Sequence, residues 1–123
     1  MLYEQASAIV ARDYRRALTL EVLAAELAAS PRQIQRAYAQ EGTSFAEDLR
    51  ARRLAVAAEL LRTQPALSTA QVGALAGHPA ASHFVRVFRA ARGLSPAGYR
   101  ALHAEPRTQA EISGGEAGPP RPR

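Results

Sequence analysis

Apolar residues recur at spacings of three and four along the first hundred positions, and no stretch alternates with the period of two that a half-buried strand requires. Residues 3–17 predict a helix with Ala6, Ile9, Val10 and Ala17 near one face and Arg12, Asp13, Arg15 and Arg16 on the other. Thr19 then predicts an N-cap, with Glu21 in the first turn where it suits the helix dipole. The helix it opens runs from Leu20 to about Ala29 and turns Val22, Leu23 and Leu27 inward. Ser30-Pro31-Arg32-Gln33 starts another helix: serine cap, proline at the first helical position, and glutamine three residues on to close a capping box. It runs to about Gln40 and Gly42 stops it. Ser44 and Glu47 have the same capping-box spacing and open the longest periodic segment, an apolar stripe of Phe45, Leu49, Leu54, Val56, Ala57, Leu60 and Leu61. That stripe reaches Arg62 or Thr63, and Pro65 ends it.

Ser68 and Gln71 repeat the box once more before a short helix to about Ala76. After Gly77, Pro79 begins a helix ending near Gly93, and Ser95-Pro96 caps a last one through about His103. The pattern predicts an all-α fold of about seven helices within residues 1–104. Beyond Pro106 the chain is rich in Gly and Pro and nearly without apolar residues, so residues 105–123 read as a disordered tail.

Two stretches of the chain match each other. Leu23-Ala24 and Val72-Gly73 each set a small residue after an apolar one, and Ala28 and Gly77 follow four residues later, small again. Such a small-x-x-x-small pair lets a second helix cross closely, which a helix-turn-helix demands. Downstream, Ile34-x-Arg36-x-Tyr38 corresponds to Phe84-x-Arg86-x-Phe88, and the two arginines stand fifty residues apart. Each copy closes with glycine and then serine, Gly42 with Ser44 and Gly93 with Ser95.

Composition narrows the possible chemistry. The chain has 123 residues and no cysteine, which removes disulfide frameworks and cysteine-type zinc sites. His78 and His83 stand five apart with no cysteine or nearby acid, so no metal site is expected. No apolar run reaches the roughly eighteen residues that span a bilayer, and the N-terminus has no signal-peptide layout, so a cytoplasmic protein is expected. No cofactor motif, nucleophile elbow or glycine-rich phosphate loop is found, and no enzyme activity is expected.

Net charge is +5, and all sixteen basic residues are arginine. Residues 1–59 carry eight arginines and eight acids, and residues 105–123 carry three of each. The whole excess therefore lies in residues 60–104, with Arg62, Arg86, Arg89, Arg92 and Arg100 and no acid. A localised positive excess of this kind suits a polyanion such as DNA.

With these features together, the chain resembles the DNA-binding domain of AraC/XylS-type transcriptional regulators over about residues 5–103. The residues that carry the resemblance are Arg53-Leu54, Ala57 and Leu60-Leu61, then Val72, Gly77, Ser82, Phe84, Arg86, Phe88, Gly93, Ser95-Pro96 and Tyr99-Arg100. The resemblance implies two homeodomain-like helix-turn-helix units, at about 19–42 and 68–93, joined by a linking helix at about 44–63, with a last helix at about 95–103. Their second helices would enter successive major grooves of double-stranded DNA. A 19-residue linking helix is about 28 Å long at 1.5 Å per residue, against about 34 Å between those grooves, so one chain can straddle the site as a monomer.

Carried onto this chain, the family pattern makes Arg32, Gln35 and Arg36 the base-facing residues of the first unit. In the second unit it selects Ala81, Ser82, Val85 and Arg86, of which only Ser82 and Arg86 can hydrogen-bond. Arginine can chelate guanine and glutamine adenine, whereas Ala81 and Val85 can touch only a thymine methyl. Gln33 is assigned first to its capping box, and the competing role for Arg36 is an ion pair with Glu41. Arg89 and Arg92 fit the DNA backbone on the helix flank, and His83 fits a groove edge or a half-buried site. The amides following Ser44 and Ser95 are further candidates for phosphate. His78 departs from the family, which usually has phenylalanine there, and Pro79 and Ala80 replace its polar capping residues.

RNA polymerase is a second candidate partner. Two alternatives stand beside a stand-alone regulator: an all-α protein-interaction module, and a DNA-binding fragment of a longer effector-responsive regulator.

Overall fold

The computed structural model describes residues 1–104. The tail expected at 105–123 lies outside the described residues. Seven helices follow in order: α1 (Leu2–Asp13), α2 (Leu20–Leu27), α3 (Pro31–Gln40), α4 (Phe45–Thr63), α5 (Thr69–Leu75), α6 (Ala81–Arg92) and α7 (Pro96–His103). No strand occurs among the described residues.

Side-chain caps set most of the helix starts. Ser30 and Gln33, and Ser68 and Gln71, form the two reciprocal capping boxes expected of them. Thr19 and Ser95 accept from Val22 N and Gly98 N. The third expected box is only half made. Ser44 Oγ accepts from Glu47 N, but the Glu47 carboxylate takes the Thr43 hydroxyl at 2.9 Å and does not return to the cap.

Several other expectations are corrected. The first helix stops at Asp13, and Ala17, expected on its inner face, is exposed in the connection beyond it. The second stops at Leu27, short of Ala29. The sixth begins at Ala81 behind Ala80, which offers no side chain to cap it, so Pro79 precedes the helix instead of opening it.

Two cores lie on either side of α4. The first gathers Ala6, Ile9 and Val10 of α1 with Leu18, Leu23, Ala24, Ile34 and Tyr38, and Phe45 and Leu49 at the start of α4 pack against it. The second gathers Leu54, Ala57, Ala58 and Leu61 of the same helix with Val72, Ala76, Phe84 and Phe88. The apolar positions of α4 are thus not one stripe. At 3.6 residues per turn, the buried set Leu54, Ala57, Ala58 and Leu61 is centred about 150° around the axis from Phe45 and Leu49. The helix closes one unit with its first turns and opens the next with its last.

The unit cores differ at the second anchor of each unit's second helix. Tyr38 lies edge-on to Tyr3 and Phe45, and its hydroxyl donates to Asp48 at 2.6 Å. Burial and that carboxylate both push the phenol above its ordinary pKa. In the second unit Phe88, the counterpart of Tyr38, needs no acceptor and packs edge-on to Phe84 and Tyr99.

Candidate nucleic-acid interface

Each unit presents its second helix in the same way. Ile34 and Tyr38 of α3 are fully buried, as are Phe84 and Phe88 of α6. An i, i+4 pair anchors one face of a helix, so the residues between and before it point outward. Arg32, Gln35 and Arg36 are exposed on α3, and Ala81, Ser82, His83, Val85, Arg86, Arg89 and Arg92 on α6. Gly73 allows α5 and α6 to cross closely, since a Cβ there would stand 2.7 Å from the Phe84 ring. In the first unit the smaller Ile34 faces α2, and Ala24 takes the place of that glycine in the same core.

Hydrogen bonds sort the candidates. Gln33 is held in its capping box by Ser30 at 2.8 and 3.1 Å. Ser44 and Ser95 use their hydroxyls as caps, at 3.1 and 3.0 Å. Glu47 and Asp48 occupy the first turn of α4, whereas that of α7 has no acid. Among the described residues no ion pair joins Arg36 to Glu41, and both line a shallow cleft with Met1 and Tyr3. Arg86 reaches His83 Nδ1 at 3.4 Å, and His83 is exposed rather than half-buried.

The charge excess divides into two kinds. Arg62 pairs with Glu59 at 2.6 Å. Arg100 donates to the carbonyls of Leu61 and Gln64, at 3.2 and 3.1 Å, at the C-terminal end of α4. Arg86, Arg89 and Arg92, all on α6, remain on the surface. In the first unit, Arg12 and Arg16 share Asp13, and Arg12 also reaches Glu26. The Arg12 guanidinium, with Arg16 beside it, holds the Asp13 carboxyl below its ordinary range. Exposed Arg50 and Arg52 on α4 also face solvent. In the sequence they carry no signal, because local acids cancel their charge in a count.

His78 is buried at 7% exposure, directly after the turn of the second unit. Its ring lies 5.5 Å from Phe84, and its Nε2 has no hydrogen-bond partner among the described residues. It therefore does seat the turn in the core, as a phenylalanine would, with one polar atom left over. Burial, and then the nearby charge of Arg53 and His83, lower its pKa.

Two helix-turn-helix units that share a helix, each presenting a polar-edged second helix, define a DNA-binding module. Residues 23–102 match the family described as a helix-turn-helix domain. The chain belongs to that family, in its AraC-type form. The C-terminal domain of AraT, a response regulator from Geobacillus stearothermophilus, is 30% identical, with a TM-score of 0.79 over 85% of this chain and 88% of that one. A transcriptional regulator with an AraC-type DNA-binding domain from Chromobacterium violaceum is 26% identical, with a TM-score of 0.77 over 86% and 95% of the two chains. A DNA-binding transcriptional dual regulator from Escherichia coli K-12 is 25% identical, with a TM-score of 0.75 over 82% and 96%. No curated protein matches the chain.

The chain is thus a DNA-binding protein of the transcriptional-regulator class, with double-stranded DNA as its partner. Among the described residues no helix is long and apolar enough to cross a membrane.

Proposed function

We propose that residues 1–104 form one sequence-specific module that binds double-stranded DNA as a monomer in the cytoplasm, with α3 and α6 in successive major grooves. The observation that carries this reading is the repeat of an outward polar edge on two buried anchors. Arg32, Gln35 and Arg36 stand over Ile34 and Tyr38, and Ser82 and Arg86 over Phe84 and Phe88.

The two edges have different chemistry. The first offers three long hydrogen-bonding side chains, enough for bidentate contacts to guanine and adenine. The second offers one hydroxyl and one guanidinium between Ala81 and Val85, then Arg89 and Arg92 along the flank. The α3 unit reads bases and the α6 unit chiefly anchors the phosphate backbone. The first turn of α7 has no acid and keeps one amide, that of Ala97, outside the Ser95 cap, which adds a phosphate contact beside Ser95. The first turn of α4, with Glu47 and Asp48, suits phosphate less well than that of α7.

Selection of bound duplexes from a random pool, followed by a salt titration on the selected site, tests the proposal. The expected outcome is an asymmetric consensus, with log K falling against log salt at about −0.9 per phosphate contacted. A flat salt response, or no enriched sequence, overturns it and favours the protein-interaction alternative.

A further inference from the structure

The two units meet directly at one small cluster. Arg53, midway along α4, donates Nε to the Tyr14 carbonyl at 2.7 Å and Nη2 to the Arg16 carbonyl at 2.8 Å, which caps the end of α1. Gly77, in the turn between α5 and α6, sits against the same two groups. A Cβ on Gly77 would lie 2.7 Å from Arg53 Nε and 2.9 Å from the Tyr14 oxygen. The first unit's backbone, the shared helix and the second unit's turn thus touch within one van der Waals layer. His78 follows, buried against Phe84, which ties the turn to the second unit's own core.

Beside this cluster the units part. A cleft of about 610 Å³ opens between the first turns of α4 and the start of α6, lined by Phe45, Leu49, Arg50, His83 and Val87. Apart from that cluster, the two units are joined through α4, which packs into both cores.

From this geometry we infer that Arg53 and Gly77 are positioning residues for DNA recognition. They lock the second unit against the end of α1 and so set the spacing between half-sites that the chain accepts. The inference rests on the two-groove reading above. The shared α4, packed into both cores, sets the gross separation of the units; two joined modules bind together only where geometry permits both to engage, so a looser junction between them accepts more spacings. Gly77 suits the place twice over. Its φ of 101° disfavours any Cβ, and the space for one is already occupied.

The test is the affinity of the whole chain for duplexes that keep both selected half-sites while the spacer changes by about two base pairs in either direction. The wild type should prefer one spacing by about tenfold or more, and Gly77→Ala should reduce that preference to about twofold or less. Binding to a duplex with only the first half-site should stay within about twofold of wild type.

Gly93→Ala is the control, because Gly93 also has a positive φ, 79°, but nothing lies within 4 Å of its Cβ position. It should keep the wild-type spacing. Arg53→Lys, which keeps the charge without the forked donor, should loosen the spacing as Gly77→Ala does, and it does so without straining the backbone. Unchanged spacing in both Gly77→Ala and Arg53→Lys, or equal loosening in Gly93→Ala, overturns the inference and leaves the two-groove reading intact. A wild type indifferent to spacing overturns both.

Discussion

Ala28 ends α2 at φ 54°, the only non-glycine residue with positive φ among the described residues, where the second unit has Gly77. The hydrogen bonds around it are those of a Schellman turn, with Ala29 N to Ala24 O at 3.0 Å and Ala28 N to Ala25 O at 3.5 Å. An L-residue in this region costs about 1–2 kcal/mol, so Ala28→Gly should raise stability by about 0.5–1 kcal/mol after the entropy of the glycine is counted. Chemical denaturation would show it as a higher midpoint at unchanged slope, and a lower midpoint would sink the assignment. His78 is the other local conflict. An unfolded imidazole titrates at about 6.5, and burial holds the folded one lower. The unfolded state therefore takes up the proton at the higher pH. The contribution of His78 to stability is complete above about pH 6.5 and drains as pH falls below it. His78→Phe, which removes the unpaired Nε2, should raise stability at pH 7 by about 1–3 kcal/mol and flatten the decline from pH 7 to 5. If the variant declines as steeply as the wild type, another group is responsible.

Helix starts were legible where a local side chain makes them, as at Ser30 with Gln33 and Ser68 with Gln71. Pro79 misled because proline suits a first helical position in general, while here the backbone of Ala80 opens the helix with no side-chain cap. The single stripe read along α4 failed for a different reason. Periodicity reports which residues are apolar, not how many cores they serve, and one helix closing two units changes face halfway. Long-range partners left no local trace at all. Arg53 and Arg100 find carbonyls 39 residues or so away, closing the ends of α1 and α4, and in a charge count they look like any surface arginine. That distinction is measurable. Arg100→Met should lower stability by about 1.5–3 kcal/mol through the lost charged hydrogen bonds, while the salt slope of DNA binding stays put. Arg89→Ala and Arg92→Ala should do the reverse, moving stability by no more than about 0.5 kcal/mol and lessening the slope by about 0.9 for each phosphate contact removed. A slope that falls in Arg100→Met would return that guanidinium to the DNA surface.

At the scale of the molecule, the repeat supplies two similar scaffolds on which the exposed residues have diverged. Both units bury an i, i+4 pair of large side chains, yet one edge is rich in long hydrogen-bonding groups and the other is mostly small and apolar before its flanking arginines. On the function proposed above, a chain bearing two such edges gains most of its discrimination from one half of the site and much of its electrostatic attraction from the other. Base-pair changes in the half-site under α3 should therefore cost about 1–3 kcal/mol each at the positions read by Arg32, Gln35 and Arg36. Changes under α6 should cost clearly less, except opposite Arg86, while the salt slope is the same for all of these duplexes. Arg36→Ala should erase the preference at one position of the first half-site and leave the others. Equal losses on every duplex would show that Arg36 touches only phosphate. Equal discrimination in the two halves would mean that Ala81, Ser82 and Val85 read bases through groove shape or thymine methyls as effectively as three long polar side chains do. In that case the division of labour between the units would have to be abandoned, while the two-unit fold would stand.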